Sequence, residues 1–348
     1  MLLPRAITRA LFIFIPAAIG LAITALLIAV LGNSPLDVFS KTWDGAFKDT
    51  AKLAAVLNLW IPLTLAAIGL IITFTAGLWN IGVEGQMMIG AVAASWGAQF
   101  LPLPQPILIP ACIVLGALGG AGWAILVGIL KTRFGVNEIF GGVALNAIAN
   151  TVAIYFISGP WQPPEGGSAQ STPPFPAEAW LPTASDQFQV SILMLAVTIA
   201  AVFAVVFALR GTRFGLELKA TGKNAKSARL MGVPVTRASI LALVICGALA
   251  GIGGSHRVLH TYHALRPLVS GGIGFYALLV TLLVGFRSGP VALVTFALAA
   301  VLAGSTRVSV LLGIDPSLVG VLQGILVLMI LIGTGMRQRS VEKQGGPV

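Results

Sequence analysis

The sequence of residues 77–90 is Gly-Leu-Trp-Asn-Ile-Gly-Val-Glu-Gly-Gln-Met-Met-Ile-Gly, and it decides how the chain is interpreted. It places one carboxylate, two amides and four glycines between apolar runs at 53–76 and 87–101. Polar groups and irregular backbone at membrane depth are costly unless they line a cavity or are buried in protein. Glycine-broken membrane segments of this kind are typical of the substrate pathway of transporters. The stretch therefore predicts a membrane transport protein.

The composition of the whole chain agrees with this prediction. Of 348 residues, 57% are hydrophobic and only 9% are charged, whereas a soluble domain carries about a quarter charged residues. Cys112 and Cys246 lie inside apolar runs, so no disulfide framework is indicated. Hydropathy predicts an all-α polytopic membrane protein, a single domain over 1–348, with about ten transmembrane segments. These lie near 10–31, 53–77, 86–101, 107–130, 136–158, 190–209, 238–256, 271–286, 290–307 and 315–334.

The basic residues predict the orientation in the membrane. The net charge is +10, but the basic residues lie in short loops between apolar segments, which argues against nucleic-acid binding. With the N-terminus inside, 15 of the 21 Lys and Arg residues are cytoplasmic, as the positive-inside rule requires. We therefore expect both termini in the cytoplasm. The apolar run 11–31 is too long for a secretory signal core, so we expect a retained first helix.

A long connection divides the chain into two halves. Residues 159–187 contain seven prolines and no Lys or Arg, which predicts an irregular external loop over 159–189. The halves are then 10–158 and 190–334. Each half holds one glycine-broken segment, the second being Ser-Gly-Gly-Ile-Gly-Phe-Tyr at 270–276. Corresponding broken segments predict a two-half internal repeat with the site at its interface.

Two further patterns concern packing. Residues 32–52 have the spacing of a short amphipathic helix on the outer membrane surface, although a solvated loop is an equal alternative. Small-residue pairs four apart let helix backbones approach closely, and they predict tight packing within the chain. These pairs are Gly116/Gly120, Gly247/Gly251 and Gly320/Gly324.

The second long connection, 210–237, is predicted to be cytoplasmic and holds seven basic residues and one acid. Asn224 suits a helix N-cap, and Gly232 suits the position after the helix end, so we predict a short helix over Ala225–Met231. That helix would present Leu230 and Met231 as an apolar patch. The alternative, that the basic residues only anchor the topology, does not account for a well-capped helix.

The chain resembles a known family over about residues 55–335. The resemblance is carried by Asn-Ile-Gly-Val-Glu-Gly-Gln at 80–86, Gly-Val-Asn-Glu at 135–138, the 222–232 loop, and 270–275. These motifs resemble inner-membrane permeases of ABC importers in the ribose, branched-chain amino-acid and nucleoside superfamily. The form of 80–86 is most similar to the nucleoside-type permeases.

The resemblance implies an importer in the bacterial inner membrane that works with several partners. An external substrate-binding lipoprotein or periplasmic protein delivers the solute, and a second, paralogous or identical permease completes the path. A separate ATPase docks on the short cytoplasmic helix, although Lys226 and Ser227 stand where the family usually has small residues. The docking residues implied are Asn224, Ala225, Ala228, Arg229, Leu230, Met231 and Gly232.

No Gly-x-x-x-x-Gly-Lys-[Ser/Thr] phosphate cradle occurs in the sequence. We therefore expect the partner to hydrolyse ATP, and this chain to be a permease without enzymatic activity or a bound cofactor. The alternatives are an ABC permease for a sugar or another small polar solute, an ion-coupled secondary transporter, and a membrane hydrolase.

Candidate substrate-pathway residues lie in and near the broken segments. Amides and carboxylates can pair with the hydroxyl groups and base edges of a nucleoside, and aromatic rings can stack on the base. The candidates are Trp79, Asn80, Glu84, Gln86, Asn146, Asn150, Phe275 and Tyr276. Glu84 has an equal structural alternative, as a cap for a half-helix N-terminus. For Asn146 and Asn150, interhelical hydrogen bonding is the favoured alternative.

His256, His260 and His263 have a spacing that can place three imidazoles on one helix face. That pattern raises the possibility of a metal site. The acid of a His-Glu-x-x-His motif is absent, and Arg257 and Arg266 are close. We therefore favour histidines at the membrane interface or in contact with a partner, and predict no metal site.

Overall fold

The computed structural model describes residues 5–30, 32–163 and 170–312, together with residues 324, 325, 328, 329, 332 and 335. These parts of the chain are helical and contain no strand, which confirms the predicted all-α class. A 3₁₀ turn at Ala177–Ala179 and a π-helix at Arg257–Tyr262 supplement the α-helices. The α-helices are α1 Arg5–Val30, α2 Pro35–Phe47, α3 Thr50–Thr75, α4 Val83–Phe100, α5 Gln105–Phe134, α6 Glu138–Ser158, α7 Ile192–Gly211, α8 Arg213–Lys223, α9 Ala225–Leu230, α10 Val235–His256, α11 Ile273–Leu283 and α12 Val291–Leu312.

Among the described residues, five helices are long and apolar enough to cross a membrane, and a bent pair formed by α1 and α2 raises the number to six. The five are α3, α5, α6, α7 and α10 with its π-helical extension. The predicted segment at 315–334 lies almost entirely outside the described residues. Ten transmembrane segments and an internal repeat therefore remain predictions.

The chain forms two packing units, one of residues 1–56 and 298–348 and the other of residues 57–297. In the first unit, Ser34 is the N-cap of α2, and its hydroxyl accepts a hydrogen bond from the Asp37 backbone N–H. Gly304 lies against the backbone of Thr42. The helix predicted within 32–52 is thus confirmed as a helix. Its position on the membrane surface remains a prediction.

The core of the second unit is built by α4, α5 and α10, which pack together along a row of glycines. Gly120 of α5 lies against Gly247 and Gly251 of α10, and Gly90 of α4 lies against Gly251 and Gly116. A methyl group at Gly90, Gly116, Gly120, Gly247 or Gly251 would overlap a neighbouring backbone atom or a serine hydroxyl. This confirms that the first two small-residue pairs mediate packing within the chain.

The proline-rich loop is irregular where it is described, apart from the turn at 177–179, as the sequence predicted. Its backbone is anchored to the segment that follows α10. Phe175 N–H donates to the His263 carbonyl at 2.7 Å, and Leu181 N–H donates to the Leu259 carbonyl at 3.0 Å. The loop therefore packs on the same end of α10 that carries the histidines.

Candidate functional site

The two glycine-broken segments meet at Glu84, in the first turn of α4. This carboxylate is 6% exposed and accepts three hydrogen bonds. The donors are the Ser270 hydroxyl at 2.5 Å, Gly272 N–H at 3.0 Å and Gly274 N–H at 2.7 Å. A Cβ at Gly274 would lie 2.9 Å from the Glu84 Cα, so the close approach requires glycine. These contacts are those of the structural alternative, a carboxylate that caps the N-terminus of α11.

Two further polar side chains hold the second broken segment. Asn150 Oδ1 accepts from Leu268 N–H at 3.2 Å. Arg257 is 7% exposed, and its Nε donates to the Val269 carbonyl at 3.1 Å. A second guanidinium nitrogen donates to the Tyr262 hydroxyl. Residues 268–274 thus donate hydrogen bonds to Glu84 of α4 and Asn150 of α6, and they accept one from Arg257 of the π-helix.

The backbone of this segment explains why it needs such support. Leu268, Gly271 and Gly272 all have positive φ, at 51°, 63° and 76°. The left-handed region is sterically unfavourable for leucine, so the segment adopts it only because surrounding contacts impose it. Arg257 was not predicted as a site residue. A basic side chain next to an apolar membrane segment was the signal that could have identified it.

Asn80 and Gln86 form a closed amide pair. Each side-chain amide donates to the other at 3.0 Å, and the Asn80 amide also contacts the Cys246 sulfur at 3.2 Å. Both side chains are fully buried. The pair therefore fixes the first broken segment against α10 in this conformation.

Asn146 holds the same segment from α6. Its Oδ1 accepts from Gly85 N–H at 2.8 Å, and its Nδ2 donates to the Ile81 carbonyl at 2.9 Å. This is interhelical hydrogen bonding, the role favoured from the sequence. Asn137 and Glu138 begin the same helix, and the Asn137 side chain caps it by accepting from Ile139 N–H at 2.8 Å.

The predicted aromatic residues are the accessible members of the set. Trp79 is 43% exposed and meets Phe74 edge-on, with ring centroids 5.0 Å apart. Phe275, in the first turn of α11, is 48% exposed, and Tyr276 beside it is half-buried. Trp79 thus precedes Glu84 in the first broken segment, and Phe275 and Tyr276 follow Gly274, whose N–H donates to Glu84.

The loop between α7 and α10 contains the predicted short helix and one that was not predicted. Asn224 Oδ1 accepts from Ser227 N–H at 3.0 Å and caps α9, and Gly232 has a φ of 82°. The helix ends at Leu230, one residue earlier than predicted. Leu230 is 91% exposed and Met231 is 83% exposed, so the predicted apolar patch is present.

The unpredicted helix, α8, is capped by Thr212, whose hydroxyl accepts from Gly215 N–H at 3.2 Å. Its last turn brings Gly222 against Gly77, the residue at which the first broken segment begins. The loop with the exposed apolar patch therefore touches the segment that carries Asn80 and Glu84.

The histidines do not share one helix face. α10 continues as a π-helix, and His263 has a left-handed backbone with a φ of 50°. His256 stacks on His260 with centroids 5.0 Å apart, whereas His263 stacks on Trp180 at 4.1 Å. His256 is fully buried. The side chain of His256 therefore does not reach a partner, because α10 packs its last turn inside the unit, whereas its position at the depth of the membrane interface stays a prediction.

The chain was compared with known protein families and with characterised proteins. Residues 52–331 match the family described as branched-chain amino acid transport system/permease component. The guanosine ABC transporter permease protein NupP of Bacillus subtilis is 29% identical over 92% of this chain and 92% of its own length. The glucose ABC transporter permease protein TsgB13 of Haloferax volcanii is 28% identical over 90% of this chain and 84% of its own. The nucleoside ABC transporter permease protein NupB of Lactococcus lactis is 28% identical over 76% of this chain and 75% of its own.

The relatives are permease subunits of ABC transporters, which are not enzymes, and a separate ATPase hydrolyses the ATP. The match extends over most of the sequence and includes both broken segments and the loop with α8 and α9. The chain therefore belongs to the family of branched-chain amino acid transport system permease components.

Proposed function

We propose that this chain is the nucleoside-translocating subunit of an ABC importer. The observation that carries the proposal is the junction of the two broken segments at Glu84, together with exposed aromatic rings in both segments. A nucleoside has a flat base that aromatic rings can stack on and hydroxyl groups that polar side chains can bind. The names of NupP and NupB, together with the form of residues 80–86, favour this substrate class.

A sugar is the second candidate substrate. The glucose permease TsgB13 is as similar to this chain as the nucleoside permeases are. Sugars and nucleosides share hydroxyl groups, and they differ in the base. Stacking of a base on Trp79 or Phe275 therefore distinguishes the two candidates.

We assign the pathway to the eight residues predicted from the sequence, with different roles. Trp79, Phe275 and Tyr276 contact the solute directly, since their rings are at least partly exposed. Asn80, Gln86 and Glu84 are buried and hydrogen-bonded in this conformation. They act on the solute when the segments separate during the transport cycle, as do Asn146 and Asn150.

The partners follow from the exposed patch and the family. The ATPase docks on α9 at Leu230 and Met231, because a solvent-exposed pair of large apolar side chains at a helix end is suited to a groove in another protein. The proposed orientation has the α8–α9 loop and both termini in the cytoplasm, as the distribution of basic residues favours. A second permease and an external substrate-binding protein complete the assembly.

The test is uptake by the assembly in lipid vesicles. The chain is reconstituted with its ATPase, second permease and binding protein, and uptake of labelled guanosine is compared with uptake of labelled glucose. We expect guanosine uptake that requires ATP and the binding protein. Uptake of glucose but not guanosine would select the sugar permease instead.

A control uses this chain alone in vesicles with a Na⁺ or proton gradient. We expect neither ATP hydrolysis nor gradient-driven uptake. Gradient-driven uptake by the chain alone would identify a secondary transporter and contradict the proposal.

A further inference from the structure

Two of the three histidines lie in an environment that the proposed pathway and coupling do not use. His256 is fully buried, His260 is 8% exposed, and their rings stack. Within the described part of the chain, neither ring nitrogen of His256 has a hydrogen-bond partner, nor does Nδ1 of His260. Buried polar atoms in folded proteins almost always have a partner. Three such atoms in one stacked pair therefore indicate a shared ligand.

A fourth unpartnered atom belongs to the neighbouring side chain of Asn58. The backbone carbonyl of Gln189 accepts from Asn58 Nδ2 at 2.7 Å and lies 3.1 Å from His260 Nε2. The other atom of the Asn58 amide, Oδ1, is buried without a partner among the described residues. Asn58 and His260 therefore meet at one carbonyl oxygen, and His256 stacks on His260, so the three side chains are neighbours. They belong to α3, to the end of α10 and to its π-helix.

The hydrogen-bonding capacity of these groups defines the ligand. The Gln189 carbonyl can only accept, so His260 Nε2 carries the hydrogen, and Nδ1 of the neutral imidazole is an acceptor. Asn58 Oδ1 is a second acceptor, and neutral His256 offers one acceptor and one donor. Acceptors predominate among these atoms, so the site favours ligands with O–H or N–H bonds. Among the described residues, no group of three or more His, Cys, Asp or Glu side chains is placed to hold a metal ion.

We propose that Asn58, His256 and His260 form a buried binding site for O–H or N–H donors. The donor comes either from a hydroxyl or amino group of the transported solute or from water, since both present the same chemistry. The alternative in which the solute supplies the donor rests on the proposed function. The site itself does not, because it follows from the four unpartnered atoms. Its location in a π-helical segment agrees with the frequent occurrence of such segments at functional sites.

The test replaces His256 by phenylalanine, which keeps a stacked aromatic ring but removes both nitrogens. It is made in the complete assembly, with labelled guanosine and 2′,3′-dideoxyguanosine as solutes and Tm as a second measurement. If a solute hydroxyl binds, the KM for guanosine rises about two- to tenfold. The KM for the dideoxy analogue changes less, and basal ATPase activity is retained. If water fills the site, both KM values stay unchanged and Tm falls.

An unchanged KM together with an unchanged or higher Tm would overturn the proposal, because an apolar ring is better tolerated than unpartnered buried nitrogens. His263→Phe is the matched control. His263 stacks on Trp180 outside the site, and Phe286 shows that phenylalanine adopts a φ of 60° in this chain. We expect the control to change neither KM nor Tm. Absence of guanosine uptake by the wild type would contradict the proposed function, whereas the Tm comparison would still test the site.

Discussion

Gly222, in the last turn of α8, lies in direct backbone contact with Gly77, where the first broken segment begins. A Cβ at Gly77 would lie 3.1 Å from the Gly222 Cα, and a Cβ at Gly222 would lie 3.0 Å from the Gly77 nitrogen and overlap the Thr75 carbonyl oxygen. Gly77 has a φ of 75°, which glycine adopts at little cost. Because Asn224 ends α8 and caps α9, the exposed patch and this contact belong to one continuous helical unit.

Gly222→Ala is expected to weaken the coupling between ATP hydrolysis and transport. The added methyl group displaces α8 from the broken segment, and overpacking of this kind costs about 1–3 kcal/mol. Leu230 and Met231 lie outside the contact, so the ATPase still associates. The ratio of guanosine taken up to ATP hydrolysed is measured, and we expect it to fall by about tenfold, the factor that corresponds to roughly 1.4 kcal/mol.

Gly211→Ala is the control for this change. It lies at the end of α7, and its Cβ would meet only the Phe207 ring, at an ordinary 3.7 Å. We expect its coupling ratio to equal that of the wild type. An equally normal ratio in Gly222→Ala would show that the contact does not transmit movement.

The double substitution of Leu230 and Met231 by aspartate is expected to abolish association with the ATPase. Charges would replace the exposed apolar patch, while folding is retained because neither side chain is buried. Co-purification of the ATPase with the tagged permease measures the effect. Leu216→Asp is the control, since Leu216 is a 66% exposed leucine on α8. Normal co-purification of the double variant would place the docking surface elsewhere.

The glycine row predicts a difference between two glycines of α5. Gly120→Ala is expected to lower the stability by about 1–3 kcal/mol, because its methyl group overlaps the backbone of α10. At Gly122 a Cβ would meet nothing within 4 Å among the residues that the structure describes. Gly122→Ala is expected to be neutral or slightly stabilising, because alanine favours a helix by about 1 kcal/mol over glycine. Thermal unfolding of both variants in detergent measures the difference, and equal midpoints would refute the packing role of Gly120.

The sequence predicted the broken segments and the α9 helix, but not how they are arranged. Glycines and polar residues within apolar runs are local signals, and so are the caps at Asn224 and Gly232. The hydrogen bond between Ser270 and Glu84 joins residues 186 positions apart, and no local pattern determines such a pairing. The role of Glu84 thus stayed open between pathway and cap.

α8 and the environment of Arg257 escaped prediction for different reasons. α8 contains Gly215 and Gly222, which lower helix propensity, and its formation depends on the Thr212 cap and on packing. The burial of Arg257 was not predicted because hydropathy does not show that α10 continues into a π-helix. That continuation carries the guanidinium into the unit, where it supports the second broken segment.

The last prediction concerns the Glu84 carboxylate and its three donors. Glu84→Ala would leave the Ser270 hydroxyl and the N–H groups of Gly272 and Gly274 without an acceptor, and each unsatisfied buried group costs about 1–3 kcal/mol. Glu84→Gln keeps one acceptor oxygen, but its NH₂ group would face at least one of these three donors instead of accepting from it. We therefore expect both variants to lose stability and assembly yield, with alanine the more severe.

Glu138→Gln is the control, because Glu138 also lies in the first turn of a helix and forms an ion pair with partly exposed Lys131 at 2.7 Å. Such pairs contribute about 0–1 kcal/mol, so little change in yield is expected. Guanosine uptake per assembled complex then tests the pathway role separately. If Glu84 also binds the solute, uptake by the remaining assembled Glu84→Ala complexes falls by about tenfold, as for a lost charge-assisted hydrogen bond. Normal yield and normal uptake in Glu84→Ala would contradict both the capping and the pathway role of this carboxylate.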